Sequence, residues 1–178
     1  MIITIRNERA EDYTATDQVV KSAFADMEFS DQKEHELVSR IRKDSGAFIP
    51  ELSLVAIHQE KEIVGHILLS KIKINQGNQS TESLALAPVS VLPEYQSKGI
   101  GRMLILEALQ KAKELGYRSV VVLGHPDYYP KFGFQKASLW GIKAPFEVPD
   151  EVFMAIELRE QALENVSGVV EYSRAFLE

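Results

Sequence analysis

Hydrophobic spacing along the chain switches repeatedly between a period of two and a period near 3.6. Ile3-Thr4-Ile5 reads as a short strand, and across residues 10–25 Tyr13, Val19, Val20, Ala23 and Phe24 recur at helical spacing. A second helix is expected over residues 31–42, with Asp31 as its cap, Leu37, Val38 and Ile41 on one face, and Gly46 and Pro50 ending it. Residues 52–57 and 63–69 are β-rich runs around the polar stretch 58–62, the pattern of an antiparallel hairpin whose second strand can run on to Ile74. After a polar loop at 76–80, residues 84–91 are apolar again but hold Pro88, which marks an edge or a bulge.

The clearest helix is expected over 99–115. Ile100, Leu104, Ala108, Ala112 and Leu115 share a face, and Gly116 supplies the stop. Val120-Val121-Val122-Leu123 then forms the continuous apolar run of a strand covered on both faces, so strand, helix and strand make a parallel crossover. Beyond it, strand-like stretches fall near Phe134, at 141–144 and at 153–158. A late hairpin over 153–172 could pair with a second copy or close the monomer's own sheet.

At 178 residues and 45% hydrophobic, the chain is expected to form one domain over 1–178, with a core at 1–158 and a C-terminal extension at 159–178. Lys and Arg number 20 against 26 Asp and Glu, and a net charge of −6 argues against nucleic acid as a partner while leaving room for a local phosphate site. The absence of cysteine excludes disulfides, thiolate metal sites and an acyl-cysteine intermediate. No basic region followed by an apolar one opens the chain, and no apolar run is long enough for a bilayer, so a cytoplasmic protein without membrane attachment is expected.

Gly99 and Gly101 stand where a strand gives way to a helix. Glycines there let backbone N–H groups converge on an anion in the favourable field of the helix dipole, and a diphosphate is the natural guest. The stretch Gly99-Ile100-Gly101-Arg102-Met103-Leu104 lacks the third glycine of a dinucleotide fingerprint, and no Gly-Lys-Ser/Thr is present for a nucleotide P-loop.

The wider stretch Val89-Ser90-Val91-Leu92-Pro93-Glu94-Tyr95-Gln96-Ser97-Lys98-Gly99-Ile100-Gly101 resembles the acetyl-coenzyme A motif of the GNAT superfamily of N-acetyltransferases. Tyr129-Pro130-Lys131-Phe132-Gly133-Phe134 resembles the family's second signature, in the expected order. Residues 168–176 resemble the tail of its YhbS-like subgroup, a placement that names no substrate. The resemblance implies an α/β (α+β) GNAT fold. Its central sheet would be mixed but mostly antiparallel, with about six to eight strands, about four flanking helices, a splayed parallel strand pair and a bulged fourth strand over residues 86–91.

It also implies the chemistry: acetyl transfer from acetyl-coenzyme A to a primary amine by direct attack in a ternary complex, without a metal. Val89, Ser90 and Val91 would meet the pantetheine arm through backbone groups. Gln96, Ser97, Lys98, Gly99, Ile100 and Gly101 would present amides to the diphosphate, with charge from Lys98 and Arg102. Tyr129 is the candidate acid for the departing thiolate, while Tyr128 would pack against the cofactor or the core, although either tyrosine could be the acid. The general base is sought among Glu34, His35 and Glu36, with Glu36 foremost, and His66 and His125 are read as structural or loop histidines. A relay through serine, a non-catalytic coenzyme A-binding module and a different acyl group remain as alternatives. The acceptor is open among small-molecule amines, aminoacyl ends and protein amines, and a homodimer is possible.

Overall fold

The computed structural model describes residues 1–25, 27 and 30–177, so the expected span 1–178 ends on a residue outside the description. Nine strands form one mixed sheet: β1 (Ile3–Asn7), β2 (Ser53–His58), β3 (Glu62–Gln76), β4 (Gln79–Val91), β5 (Ser119–Leu123), β6 (Gln135–Lys136), β7 (Ile142–Lys143), β8 (Phe153–Glu157) and β9 (Gly168–Glu171). The order β1-β2-β3-β4-β5-β8-β6 is antiparallel except at the β4–β5 pair, while β9 pairs antiparallel with the outer half of β3 and parallel with β7. Three α-helices are described: α1 (Tyr13–Phe24), α2 (Glu34–Lys43) and α3 (Ile100–Glu114).

Helix α3 buries Ile100, Leu104, Ala108 and Ala112 against one face of the sheet, and Gly116 ends it at φ +94°. Leu115, expected on the same face, is exposed at the C-cap, one residue before Gly116. Helices α1 and α2 cover the other face, with Val20, Val38 and Ile41 packed on Leu68. About four helices were expected and three are found among the described residues; the segment after β5 forms short 3₁₀ turns. Pro126 and Pro130 remove backbone donors, and Gly133 at φ +106° ends the turn Tyr129–Phe132 after four residues.

Two expectations are corrected here. Asp31 does not cap α2: its carboxylate accepts from the Lys33 N–H at 2.9 Å in a local turn, and the helix begins at Glu34. Residues 153–172 do not form a hairpin, because β8 lies between β5 and β6 while β9 docks on β3. Gly168, at φ +125°, permits that docking, since a Cβ there would overlap the Asn75 backbone. The segment beyond residue 158 thus supplies a strand to the main sheet.

A buried polar network ties the α1/α2 layer to the sheet. Arg42 reaches Glu8 at 2.7 Å and Asp17 at 2.9 Å, with its guanidinium 4.0 Å over the Tyr13 ring. Ser53 donates to Glu8 Oε1 at 2.8 Å, so the His66 Nε2 at 2.9 Å from the same hydroxyl must carry the proton and donate. That tautomer leaves His66 Nδ1 bare, directly across the ladder from Ser90, and neither it nor the Ser90 hydroxyl has a partner among the described residues.

Burial pushes the His66 pKa down to about 4, with Arg42 adding in the same direction and Glu8 opposing. Between that value and the ordinary 6.5 the unfolded chain binds a proton that the fold refuses. Stability is therefore full above 6.5 and falls as pH drops toward 4, by about 3 kcal/mol in all. Urea midpoints measured across this window should show that slope in the unmodified protein and lose it in His66→Gln.

Candidate active site

The site opens where β4 and β5 part. Their parallel ladder holds Leu84 against Val120 and Ala85 against Val121, and then ends. On its other edge β4 continues along β3, but Ile67 faces Val89 while Leu69 faces Leu86, so Ala87 and Pro88 together oppose the single residue Leu68. This bulge inverts the facing of the strand. Leu84 and Leu86 point to the α3 core before it and Val89 and Val91 after it, whereas Ser90 turns its buried side chain toward His66. From Leu86 to Val91, β4 therefore presents a backbone edge without a β5 partner.

That edge leads into the loop before α3. Gln96 Nε2 donates to the Val91 carbonyl at 3.0 Å and closes the loop back on the strand. Ser97 at φ +63° and Gly99 at φ +86° are both left-handed, a conformation that turns successive N–H groups the same way. The first α-helical bond runs from Met103 N–H to the Gly99 carbonyl at 3.1 Å, so the N–H groups of Ile100, Gly101 and Arg102 have no helical acceptor. Lys98 and Arg102 are exposed beside them, whereas the Ile100 side chain belongs to the core.

Gly101 differs from Gly99. Its backbone is helical and a Cβ there would lie 3.5 Å from the Tyr128 hydroxyl, an ordinary contact. Neither strain nor crowding by the protein requires glycine, which costs about 0.5–1 kcal/mol relative to alanine inside a helix.

The two tyrosines of the segment after β5 divide the site. Tyr128 is half-buried with its hydroxyl toward the α3 N-terminus; burial raises its pKa and Arg102 opposes. Tyr129 is 8% exposed, packs edge-on to Tyr128 and Phe134 at 5.2 and 5.7 Å, and has its pKa pushed up to about 12, chiefly by burial. Its ring lies directly on Gly124, where any side chain would overlap it. Both tyrosines line a cleft of about 1230 Å³ with Glu34, His125 and Val148. The His125 ring also accepts from the Asp127 N–H at 3.1 Å, which fixes the turn.

The sequence profile of the acetyltransferase (GNAT) family matches residues 5–134. The chain belongs to the GNAT family. Among its relatives, the uncharacterized N-acetyltransferase YhbS of Escherichia coli (strain K12) is 32% identical over 148 residues, 83% of this chain and 86% of that protein. The crystal structure of E. coli YhbS in complex with CoA covers 99% of this chain and 92% of its own at a TM-score of 0.87 and 28% identity. A GNAT family acetyltransferase from Brucella melitensis, solved in complex with acetyl-CoA, covers 98% of each chain at a TM-score of 0.80 and 34% identity.

As a GNAT protein the chain is an acetyltransferase, and the candidate bases can be sorted by position. Glu36 is exposed and does not line the cleft. Glu34 does line it: one carboxylate oxygen accepts from Ser30 Oγ at 2.5 Å and the other is buried without a donor among the described residues. The signal for Glu34 was its spacing, four residues before buried Val38, whereas Glu36 sits about 200° further round the helix. His35 is half-buried, its Nδ1 has no partner among the described residues, and it does not line the cleft. Among the described residues no three His, Asp or Glu side chains converge as a metal site requires, and no helix is long and apolar enough to cross a membrane.

Proposed function

We propose that the chain binds acetyl-coenzyme A and transfers its acetyl group directly to a primary amine. The observation that carries this is the continuity of the unpaired β4 edge, the free N–H groups before α3 and Tyr129 along one opening of the sheet. Backbone groups of Val89 and Val91 would hold pantetheine as though it were another strand, with Ser90 contributing main chain only. The amides from Ser97 to Arg102, backed by Lys98 and Arg102, would hold the diphosphate. Coenzyme A in the YhbS complex and acetyl-coenzyme A in the Brucella protein support this reading.

In the transfer, a C–N bond forms as the C–S bond breaks, and the sulfur takes a proton as it leaves. Tyr129 is the donor in this reading, and Glu34 receives the proton that the amine gives up.

Calorimetric titration with acetyl-coenzyme A tests the proposal. The unmodified protein should bind in the micromolar range, and Gly101→Glu should abolish binding, since it sets bulk and negative charge in the cradle without strain. Gly101→Ala should weaken binding about tenfold while leaving stability unchanged or slightly raised. Equal affinity in all three proteins would remove the loop from the cofactor site. Gly99→Glu is the poorer probe, because φ +86° would strain any side chain there.

A further inference from the structure

A second cleft, of about 620 Å³, lies on the α2 side of the same opening. Its inner wall includes Leu86 and the bulge residue Ala87, and Leu123 at the end of β5 borders both clefts, so the two adjoin at the opening of the sheet. Leu37, Phe146, Tyr172 and Phe176 are among its other apolar lining residues. Four large apolar side chains around it are exposed: Leu123 at 46%, Phe146 at 48%, Val169 at 44% and Leu177 at 79%. Apolar side chains exposed in a cluster mark a surface built to be covered.

The charge lining is one-sided. Glu171, paired with Asn75 at 2.6 Å, borders this cleft and Glu34 borders the other, and neither is lined by a Lys or Arg among the described residues. The cations of the site stand elsewhere, Lys98 in the loop before α3 and Arg102 in its first turn. An acceptor carrying a carboxylate or phosphate would meet no counter-ion and two like charges, whereas an ammonium on an apolar body meets a carboxylate and a matching surface.

We propose that the acceptor is a primary amine borne on an apolar body, alkyl or aromatic, and without an anionic group. This rests on the acetyl-coenzyme A reading above. The body lies over Ala87, Phe146 and Phe176, and the amine faces Glu34 and the transfer point. Amino acids, aminoacyl ends and polyhydroxylated amines are disfavoured by the same lining.

The test uses the full chain with acetyl-coenzyme A, following thiol release with phenethylamine and hexylamine against lysine and glucosamine. The apolar monoamines should exceed the others at least about tenfold in kcat/KM, a discrimination the size of one or two buried methylenes. Phe146→Ser should raise KM for phenethylamine about tenfold with little change in kcat or in acetyl-coenzyme A affinity, and Phe146→Leu should restore most of it. Phe146 is half-exposed and stacks only on Tyr172, so the fold tolerates both changes. Preference for a polar or anionic acceptor, no turnover of either apolar amine, or an unchanged KM in Phe146→Ser would each overturn the inference. So would a preference for octanoyl- over acetyl-coenzyme A that Phe146→Ser abolishes, which would give the cleft to the acyl chain. Failure to bind acetyl-coenzyme A in calorimetry would overturn the cofactor reading, and this one with it.

Discussion

Tyr129→Phe is expected to lower turnover about 10³-fold while leaving acetyl-coenzyme A affinity within a factor of about two. The substitution removes one hydroxyl and keeps the ring, so the edge contacts to Tyr128 and Phe134 and the seat on Gly124 survive. What is lost is a proton donor beside the cleft. With its pKa pushed up to about 12, Tyr129 holds that proton throughout the useful pH range, so no alkaline loss of activity should arise from its ionisation. A thiolate of pKa about 8.5 is a weaker base than this phenolate, so passing the proton to sulfur runs uphill, and in the proposed role the hydroxyl helps first as a hydrogen-bond donor to the charge that builds on sulfur as the C–S bond breaks. Tyr128→Phe should behave oppositely, with affinity lowered more than turnover, because its hydroxyl faces the α3 N-terminus. Steady-state kinetics with calorimetry on both variants separates the roles, and undiminished turnover in Tyr129→Phe would take the acid role from it.

The parts of this site that were legible in the sequence are those made by backbone. Gly99 and Gly101 announce free N–H groups whatever surrounds them, Pro88 announces a bulge because it cannot complete a ladder, and the run Val120-Val121-Val122 announces a strand buried on both faces. Roles set by side-chain direction were harder to read. Glu34 and Glu36 are two residues apart and equally acidic, and only the placement of α2 over the splayed strands sends one to the cleft and the other to solvent. With Asp31 taken as the cap, the register of the first turn was uncertain by the few residues that decide this. The apolar cleft was hidden for a different reason. Its walls come from α2, β3, β4, β5, β9, the segment between β7 and β8 and the segment after β9, and no local period links Leu37, Ala87, Phe146 and Phe176.

The buried network was hidden in the same way, and it is where the largest loss of stability is expected. Arg42→Met should destabilise the protein by about 4 kcal/mol, read as a fall in the urea midpoint without a change in slope. Glu8 joins Arg42 with its side chain 1% exposed, and the arginine side chain is itself 7% exposed, so water cannot replace the lost partner. Methionine fills much of the space over Tyr13 but leaves the carboxylate with only the Ser53 hydroxyl as donor, and an uncompensated buried charge outweighs the apolar gain. Adding Glu8→Gln should therefore recover part of the loss, making the double variant more stable than Arg42→Met alone; a double variant no better than the single one would mean that Arg42 acts by packing rather than by charge. Arg42 lies in α2, two turns from Glu34, and ties that helix to the end of β1. Its removal should for this reason also raise KM for the acceptor more than it weakens acetyl-coenzyme A, whose proposed contacts lie on β4 and α3 across the sheet.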